Sequence, residues 1–353
     1  MRSIRRSGEF VPDPILSIQD LTVEFKTEDG IVRAVSDVSY DLMPGEVLGI
    51  VGESGSGKSV SMLSILGLSP QGRIPKGEAL YKGKDLLKMS DKDLRQIRGG
   101  DMAMIFQDPM TSLNPVLTVG NQISEALLVH NPGMDDDGAE KRAIELLEVV
   151  GVPSAERRIN QYPHEFSGGM RQRGMIAMAI ANNPSVLIAD EPTTALDVTI
   201  QAQIVEVLKA ARQETHAAIV LITHDLGLIA ELADRVVVMY AGRVVELSDV
   251  FTIFNEPRHP YTVGLMNSIA RLDAEQEWLQ PIPGQPPSMI APPPGCAFHP
   301  RCTFSRGRLP CRTDIPELRQ IGDTALHLTR CHYAEELAEA QVVAGAAAVE
   351  EGR

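Results

Sequence analysis

Residues Gly52, Glu53, Ser54, Gly55, Ser56, Gly57, Lys58 and Ser59 form the pattern G-x-x-x-x-G-K-S directly after the apolar run Val47 to Val51. The placement constrains the fold more than the pattern does. A buried strand must run into a glycine-rich turn and then into a helix. Glycines let the chain fold back so that successive N–H groups point inward, and the helix that follows adds its positive N-terminal end. Such a loop cradles phosphate oxygens, with Lys58 reaching the outer phosphates and Ser59 holding Mg²⁺. The bland alternative is a glycine-rich structural turn. A nucleoside triphosphate site in an α/β chain is the expectation.

The 353 residues, 43% apolar and 23% charged, suffice for one large core with a smaller appended unit. A net charge of -14 with a single Trp, six Tyr and eight Phe argues against a general nucleic-acid surface, which needs a basic face. The longest apolar stretches, Ala218 to Thr223 and Val236 to Tyr240, fall far short of the ~20 residues that span a bilayer. Membrane association would have to be borrowed from a partner. Arg2, Arg5 and Arg6 have no apolar segment behind them, so the start does not read as a secretory signal, and the cytosol is the expected compartment.

Leu16 to Phe25 and Val32 to Leu42 read as a hairpin, and Lys58 to Leu68 as the helix after the glycine-rich loop. Ala103 to Gln107 is a further short strand. Helical periodicity in Val119 to His130, Gly138 to Val150 and Gly168 to Ala181 makes residues 108–178 a helical insertion. Buried parallel-type strands resume at Val186 to Asp190 and Ile219 to Thr223, around the helix Val198 to Thr215, and Arg235 to Leu247 closes with a hairpin. The main domain is placed at 13–254. Prolines crowd residues 281–294, so 255–335 reads as a separate, loop-rich small domain, with an Ala/Glu-rich tail at 336–353.

The strand Val186 to Ala189 delivers Asp190 and Glu191 to its C-terminal end, the edge where open α/β sheets bind ligands. Alternation along an extended backbone lets Asp190 join a Mg²⁺ shell while Glu191 points elsewhere and polarises water. Two solvated acids at a strand end are the alternative. Ser167, Gly168 and Gly169 open a helix as a cap and a second anion-ready N-terminus, or simply as a cap.

The phosphate loop, Gln107, the run Phe166-Ser167-Gly168-Gly169-Met170-Arg171-Gln172, Val186 to Glu191, Ala195-Leu196-Asp197 and His224 together resemble an ATP-binding cassette ATPase over about residues 15–250. The signature run departs from the commonest form by Phe166 and Met170. The resemblance implies a mixed sheet with antiparallel hairpins, a helical subdomain and a head-to-tail dimer. In such a dimer each ATP lies between one phosphate loop, with Val60 in the adjoining turn, and the partner's Ser167-Gly168-Gly169. It further implies that Gln107 senses Mg²⁺ and the attacking water, that Glu191 is the base, that His224 meets the γ-phosphate and that Asp197 acts across the dimer. Phe25 matches the position whose ring stacks on adenine; otherwise a Phe there is core, and His224 a satisfied core histidine.

The segments Asn255 to Thr262 and Gly295 to Cys302, with Thr193 to Thr199, are similar to the ATPases of oligopeptide and dipeptide importers, a branch shared with nickel importers. That resemblance implies two integral membrane permease subunits, a second cassette ATPase, an extracytoplasmic substrate-binding protein and a peripheral place on the cytoplasmic face of the membrane. A soluble cassette ATPase without a permease is the rival reading. Cys296, Cys302, Cys311 and Cys331 are spaced for neither a paired C-x₂-C ribbon nor the common ferredoxin run. Four thiolates suit zinc or an iron-sulfur cluster, or remain buried free thiols; His299 and His332 stand near them. The similar importer ATPases associate these cysteines with a four-iron four-sulfur cluster.

Overall fold

A computed structural model of the chain describes residues 12–69, 71–108, 112–194, 197–268, 281–322 and 326–340. The expected N-terminal arginines, Ala195, Leu196 and the tail beyond 340 lie outside these residues. Two sheets carry the architecture. The first is antiparallel, in the order β2 (Gly30–Leu42), β1 (Leu16–Thr27), β4 (Gly72–Tyr81), β5 (Lys84–Asp85). The second has eight strands. A parallel block of β6 (Met102–Ile105), β7 (Val186–Asp190), β8 (Ala218–Ile222), β3 (Val47–Val51) and β9 (Arg235–Tyr240) leads into antiparallel β10 (Arg243–Asp249), β12 (Leu328–Thr329) and β11 (Arg319–Gln320).

Every residue of β3, β7 and β8 is buried, as a parallel sheet covered on both faces requires. Alternation divides each strand between two cores. Val47 and Val51 join Leu187, Ala189 and Leu221 against the helical layer, which contributes Leu146, Ile176 and Leu208. Leu48 and Ile50 face the other way with Ile188, Val220 and Ile222, against Met62 and Ile65 of the helix Lys58–Ile65 and Leu21, Val23 and Val35 of the antiparallel sheet. The phosphate loop is thus anchored at a strand end with apolar packing on both sides.

The helical insertion comprises Val119–His130, Asp136–Val149, Ala155–Arg158 and Gly168–Ile180. The second of these begins two positions before the expected Gly138, because the Asp135 carboxylate accepts the Gly138 N–H at 2.9 Å and caps it. Strands β3, β7, β8 and β9 and the helix Val198–Thr215 lie within a residue of their expected bounds, whereas β6 starts one residue before and ends two residues before the expected Ala103 to Gln107. Strand β4 was not foreseen. Pro75 and Gly77 interrupt its alternation, and Gly77, at φ +128°, sits where a side chain would run into the Leu21 backbone, beside a shift in the β1–β4 register.

Composition marks a break near residue 255, yet the region beyond it is built onto the cassette. Strand β12 pairs with β10, Glu246 opposite Thr329 and Leu247 opposite Leu328. Tyr261 and Phe298 belong to the same apolar core as the helical layer. Met289, in the proline-rich segment, accepts the Arg33 N–H at 3.2 Å and covers the edge strand β2. Among the described residues, no helix is long and apolar enough to cross a membrane.

Candidate nucleotide site and cysteine pocket

Three glycines of the loop adopt left-handed or related backbone: Gly52 at φ 153°, Gly55 at 77° and Gly57 at 96°. A Cβ on Gly52 would lie 2.2 Å from the Met239 carbonyl oxygen, and one on Gly57 2.3 Å from that of Ala34, so neither position admits a side chain. Lys58 is buried and folds back, its ammonium donating to the carbonyls of Gly52 at 2.8 Å and Glu53 at 3.0 Å. Burial lowers its pKa, against the charges of Glu191, Asp190 and Glu53. The Ser56 hydroxyl is buried without a partner, an orphan inside the loop that a phosphate oxygen would satisfy.

Asp190, at the end of β7, accepts a 2.6 Å hydrogen bond from the Ser59 hydroxyl. Burial raises its pKa, helped by the neighbouring Glu191 charge and opposed by Ser59 and Lys58. Two hard oxygens side by side at a helix N-terminus are a donor set suited to Mg²⁺. Glu191 leaves the strand in a left-handed conformation, φ 47°, immediately before Pro192. That turn sends its carboxylate away from Asp190 and costs of order 1–3 kcal/mol, the kind of strain held where function requires it. Its Oε2 accepts from Gln107 at 2.9 Å and from the Thr194 hydroxyl at 2.8 Å, while His224 Nδ1 stands 3.4 Å from Oε1. Gln107, Asp190, Glu191, His224 and Ser59, drawn from four separate segments, therefore meet at the C-terminal edge of the parallel strands. Thr194 joined them unannounced; its position three residues after the acid was the available signal.

The other expected residues lie apart from this cluster. Phe25 pairs opposite Gly72 and Val32 in the antiparallel sheet and is partly buried, its ring 3.3 Å from where a Gly72 Cβ would be. Val60 lies in the first turn of the loop helix, half-buried. Ser167 caps its helix, accepting from Met170 N–H at 3.3 Å; Ser167 and Gly168 are exposed and Gly169 half-buried. The Asp197 carboxylate accepts from Ile200 N–H at 3.0 Å and caps its own helix.

The loop also has neighbours that sequence reading missed. The Glu53 N–H donates to the Tyr261 hydroxyl at 2.9 Å, and the Glu53 carboxylate takes both arms of the Arg301 guanidinium, at 2.8 and 3.1 Å. Separations of 208 and 248 positions leave no local pattern from which these contacts could be read.

The four cysteines come together. Cys296, Cys302, Cys311 and Cys331 line one small apolar cavity with Phe298 and Phe304. None is in a disulfide, and burial pushes every thiol up, Cys296 to about 11 and Cys331 to about 12. Cys296 N–H donates to the Cys311 carbonyl at 3.0 Å, and Gly295, at φ 71°, passes too close to that carbonyl for any side chain. His299 and His332 also line the cavity region, but each has a ring nitrogen 2.9 Å from a backbone carbonyl, of Cys296 and Asp314 respectively. Among the described residues, no three His, Cys, Asp or Glu groups are close enough to hold a single metal ion.

A phosphate loop, a serine–aspartate oxygen pair and a restrained glutamate at one sheet edge define a phosphate-loop nucleotide-binding enzyme. Comparison with known proteins narrows this. The ABC transporter family matches residues 35–194, and the oligopeptide/dipeptide transporter C-terminal region matches 245–311. The Bacillus subtilis dipeptide transport ATP-binding protein DppD is 50% identical over 335 residues, 94% of this chain and 98% of that one. The oligopeptide transport ATP-binding protein OppD of the same organism is 53% identical over 294 residues, 82% of each chain. Among solved structures, a dimeric ATP-binding cassette in a post-hydrolysis state with ADP and phosphate aligns with a TM-score of 0.60 and 30% identity, covering 67% of this chain and 98% of that one. This chain belongs to the ATP-binding cassette family, in the branch with the oligopeptide/dipeptide transporter C-terminal region, and is an ATPase.

Proposed function

We propose that this ATPase powers import of peptides through a membrane permease. The observation that carries the cargo class is the C-terminal match at 245–311 together with relatives of this whole length named for dipeptide and oligopeptide transport. Partners follow from the same reading: two integral membrane subunits, an extracytoplasmic substrate-binding protein and a second, related cassette ATPase, with this chain peripheral on the cytoplasmic face. The test is gentle solubilisation of membranes with a tagged chain and mass spectrometry of what co-purifies. Two multi-spanning proteins are expected; recovery from the soluble fraction alone or with ribosomal or DNA-bound proteins would overturn the assignment.

At the site, the loop amides and Lys58 hold the phosphates, Lys58 exchanging its bonds to the Gly52 and Glu53 carbonyls for phosphate oxygens. Ser59 and Asp190 would hold Mg²⁺, which would neutralise phosphate charge when bound. Glu191, fixed by Gln107 and Thr194, takes a proton from the attacking water, and His224, 63% exposed, turns toward the γ-phosphate. Phe25 stacks on adenine. The exposed Ser167-Gly168-Gly169 helix end serves the nucleotide of the opposite subunit, which Asp197 also approaches, and this explains why that end stands outside the cluster.

For the cysteine pocket we infer a four-iron four-sulfur cluster rather than zinc. What supports the reading is that all four cysteines line one small, apolar cavity and so offer the four thiolates that such a cluster takes. Anaerobic purification with iron and acid-labile sulfide assays is the test. Brown protein with both is expected; colourless protein containing zinc or no metal would overturn it.

A further inference from the structure

We propose that Arg301 and Tyr261 are positioning residues for the phosphate loop, so that the region beyond residue 255 sets the geometry in which ATP is held. This rests on the reading of the loop as the ATP site. The first half of the loop, Gly52 to Gly55, is rich in glycine; within the cassette the Gly52 and Glu53 carbonyls accept from the Lys58 ammonium, and the Glu53 carbonyl also from the Ser56 N–H. Two further ties come from the C-terminal region, and both fall on Glu53. Its amide donates to the Tyr261 hydroxyl, and its carboxylate lies in the fork of Arg301.

Arg301 is itself fixed. Its side chain is 6% exposed, its Nε donates to the Pro283 carbonyl at 2.8 Å, and its Nη1 donates to the Tyr240 hydroxyl at 3.3 Å. Tyr261 is wholly buried, its ring 4.6 Å from Tyr240 and 5.5 Å from Phe298. A planar, two-point ion pair in such surroundings specifies orientation more than it adds stability, because desolvation offsets much of its attraction. A rigid aromatic wall and a preorganised guanidinium thus hold Glu53 by both its amide and its carboxylate. With Glu53 held, the remaining amides of the loop keep a fixed aim, and ordering them on binding costs less.

The experiment uses the full-length chain and measures steady-state ATP hydrolysis, binding of a fluorescent ATP analogue with Mg²⁺, and thermal unfolding. Arg301→Met and Glu53→Gln are each expected to raise the KM for ATP about tenfold, with kcat changed less. The double variant should be no worse than either single, because both remove one interaction. A role confined to packing would lower the unfolding temperature and the yield of active protein while leaving KM at the wild-type value, and that result overturns the proposal, as do additive losses in the double variant. If Arg301→Met does not fold, Tyr261→Phe decides. It removes one hydroxyl and leaves the ring, so a severalfold rise in KM supports the proposal and an unchanged KM refutes it. Lys58→Ala separates the two levels of inference. Loss of nucleotide binding there with wild-type KM in the Arg301 and Tyr261 variants sinks only this proposal, whereas intact binding in Lys58→Ala sinks the assignment of the site itself.

Discussion

Asp190 and Glu191 reach their places because five buried strand residues deliver them to the edge of a sheet, whereas the four cysteines hang on loops, a three-residue turn at His299–Arg301 and a five-residue helix at Leu309–Thr313. The nucleotide site is assembled by its own side chains: Ser59 on Asp190, and Gln107 and Thr194 on Glu191, at 2.6 to 2.9 Å. The cysteine pocket brings its thiols to one cavity but bonds none of them to another. A site built on regular structure is preorganised before its ligand arrives; one built on loops draws its order from what it binds.

The sharpest way to break that contrast lies at Glu191. Glu191→Gln should cut ATP hydrolysis by about 10²-fold or more while ATP binding persists, since the amide keeps the shape and loses the base. Near-wild-type phosphate release would remove Glu191 from its role. Next is Gly57→Ala. Its methyl would stand 2.3 Å from the Ala34 carbonyl at a φ of 96°, so the loop must shift. ATP binding should be lost and the unfolding free energy reduced by about 1–3 kcal/mol, read from denaturant titration. If the cysteine pocket holds the proposed cluster it should behave differently: Cys331→Ser should strip the iron and lower the unfolding temperature by several degrees, with a smaller change in the KM for ATP. Equal unfolding temperatures with and without iron would mean that the pocket is as preorganised as the nucleotide site.

The smallest effect near neutrality is one of pH. Burial pushes the His259 pKa down to about 3, so the folded chain refuses a proton that the unfolded chain takes up near pH 6.5. Stability should therefore fall as pH drops below about 6.5, approaching ~1.4 kcal/mol per pH unit, and His259→Asn should flatten that slope. Its ring nitrogen accepts the Tyr261 N–H at 3.1 Å, which ties this titration to the residue proposed to hold the loop.

Much of the candidate nucleotide site's framework was legible because its residues stand in short runs. Gly52 to Ser59 carry loop and helix start together, and the apolar stretch before Asp190 announces both the strand and its end. The partly hidden elements obey other rules. Strand β4 lost its signature to Pro75 and to Gly77, where the bulge demands glycine and breaks the alternation. Arg301 entered only within the segment Gly295 to Cys302 that carries the importer resemblance, because an ion pair across 248 positions is a product of the folded sheet and has no local pattern. The cysteines could be counted but not located, since their meeting depends on a loop route fixed by Gly295 and by the strand pairing at β12.

That strand pairing bears on how the chain is made. Strand β10 lies inside the eight-stranded sheet only once Leu328 and Thr329 pair with it, and its wholly buried Glu246 meets His327, 81 positions downstream, at 2.8 Å. Without that pairing the sheet would have an open flank at β10, and the buried Glu246 carboxylate would keep the amides of Arg258 and His259 but lose its imidazole. A chain stopped short of residue 327 would keep that bare flank, ready to pair with another such chain.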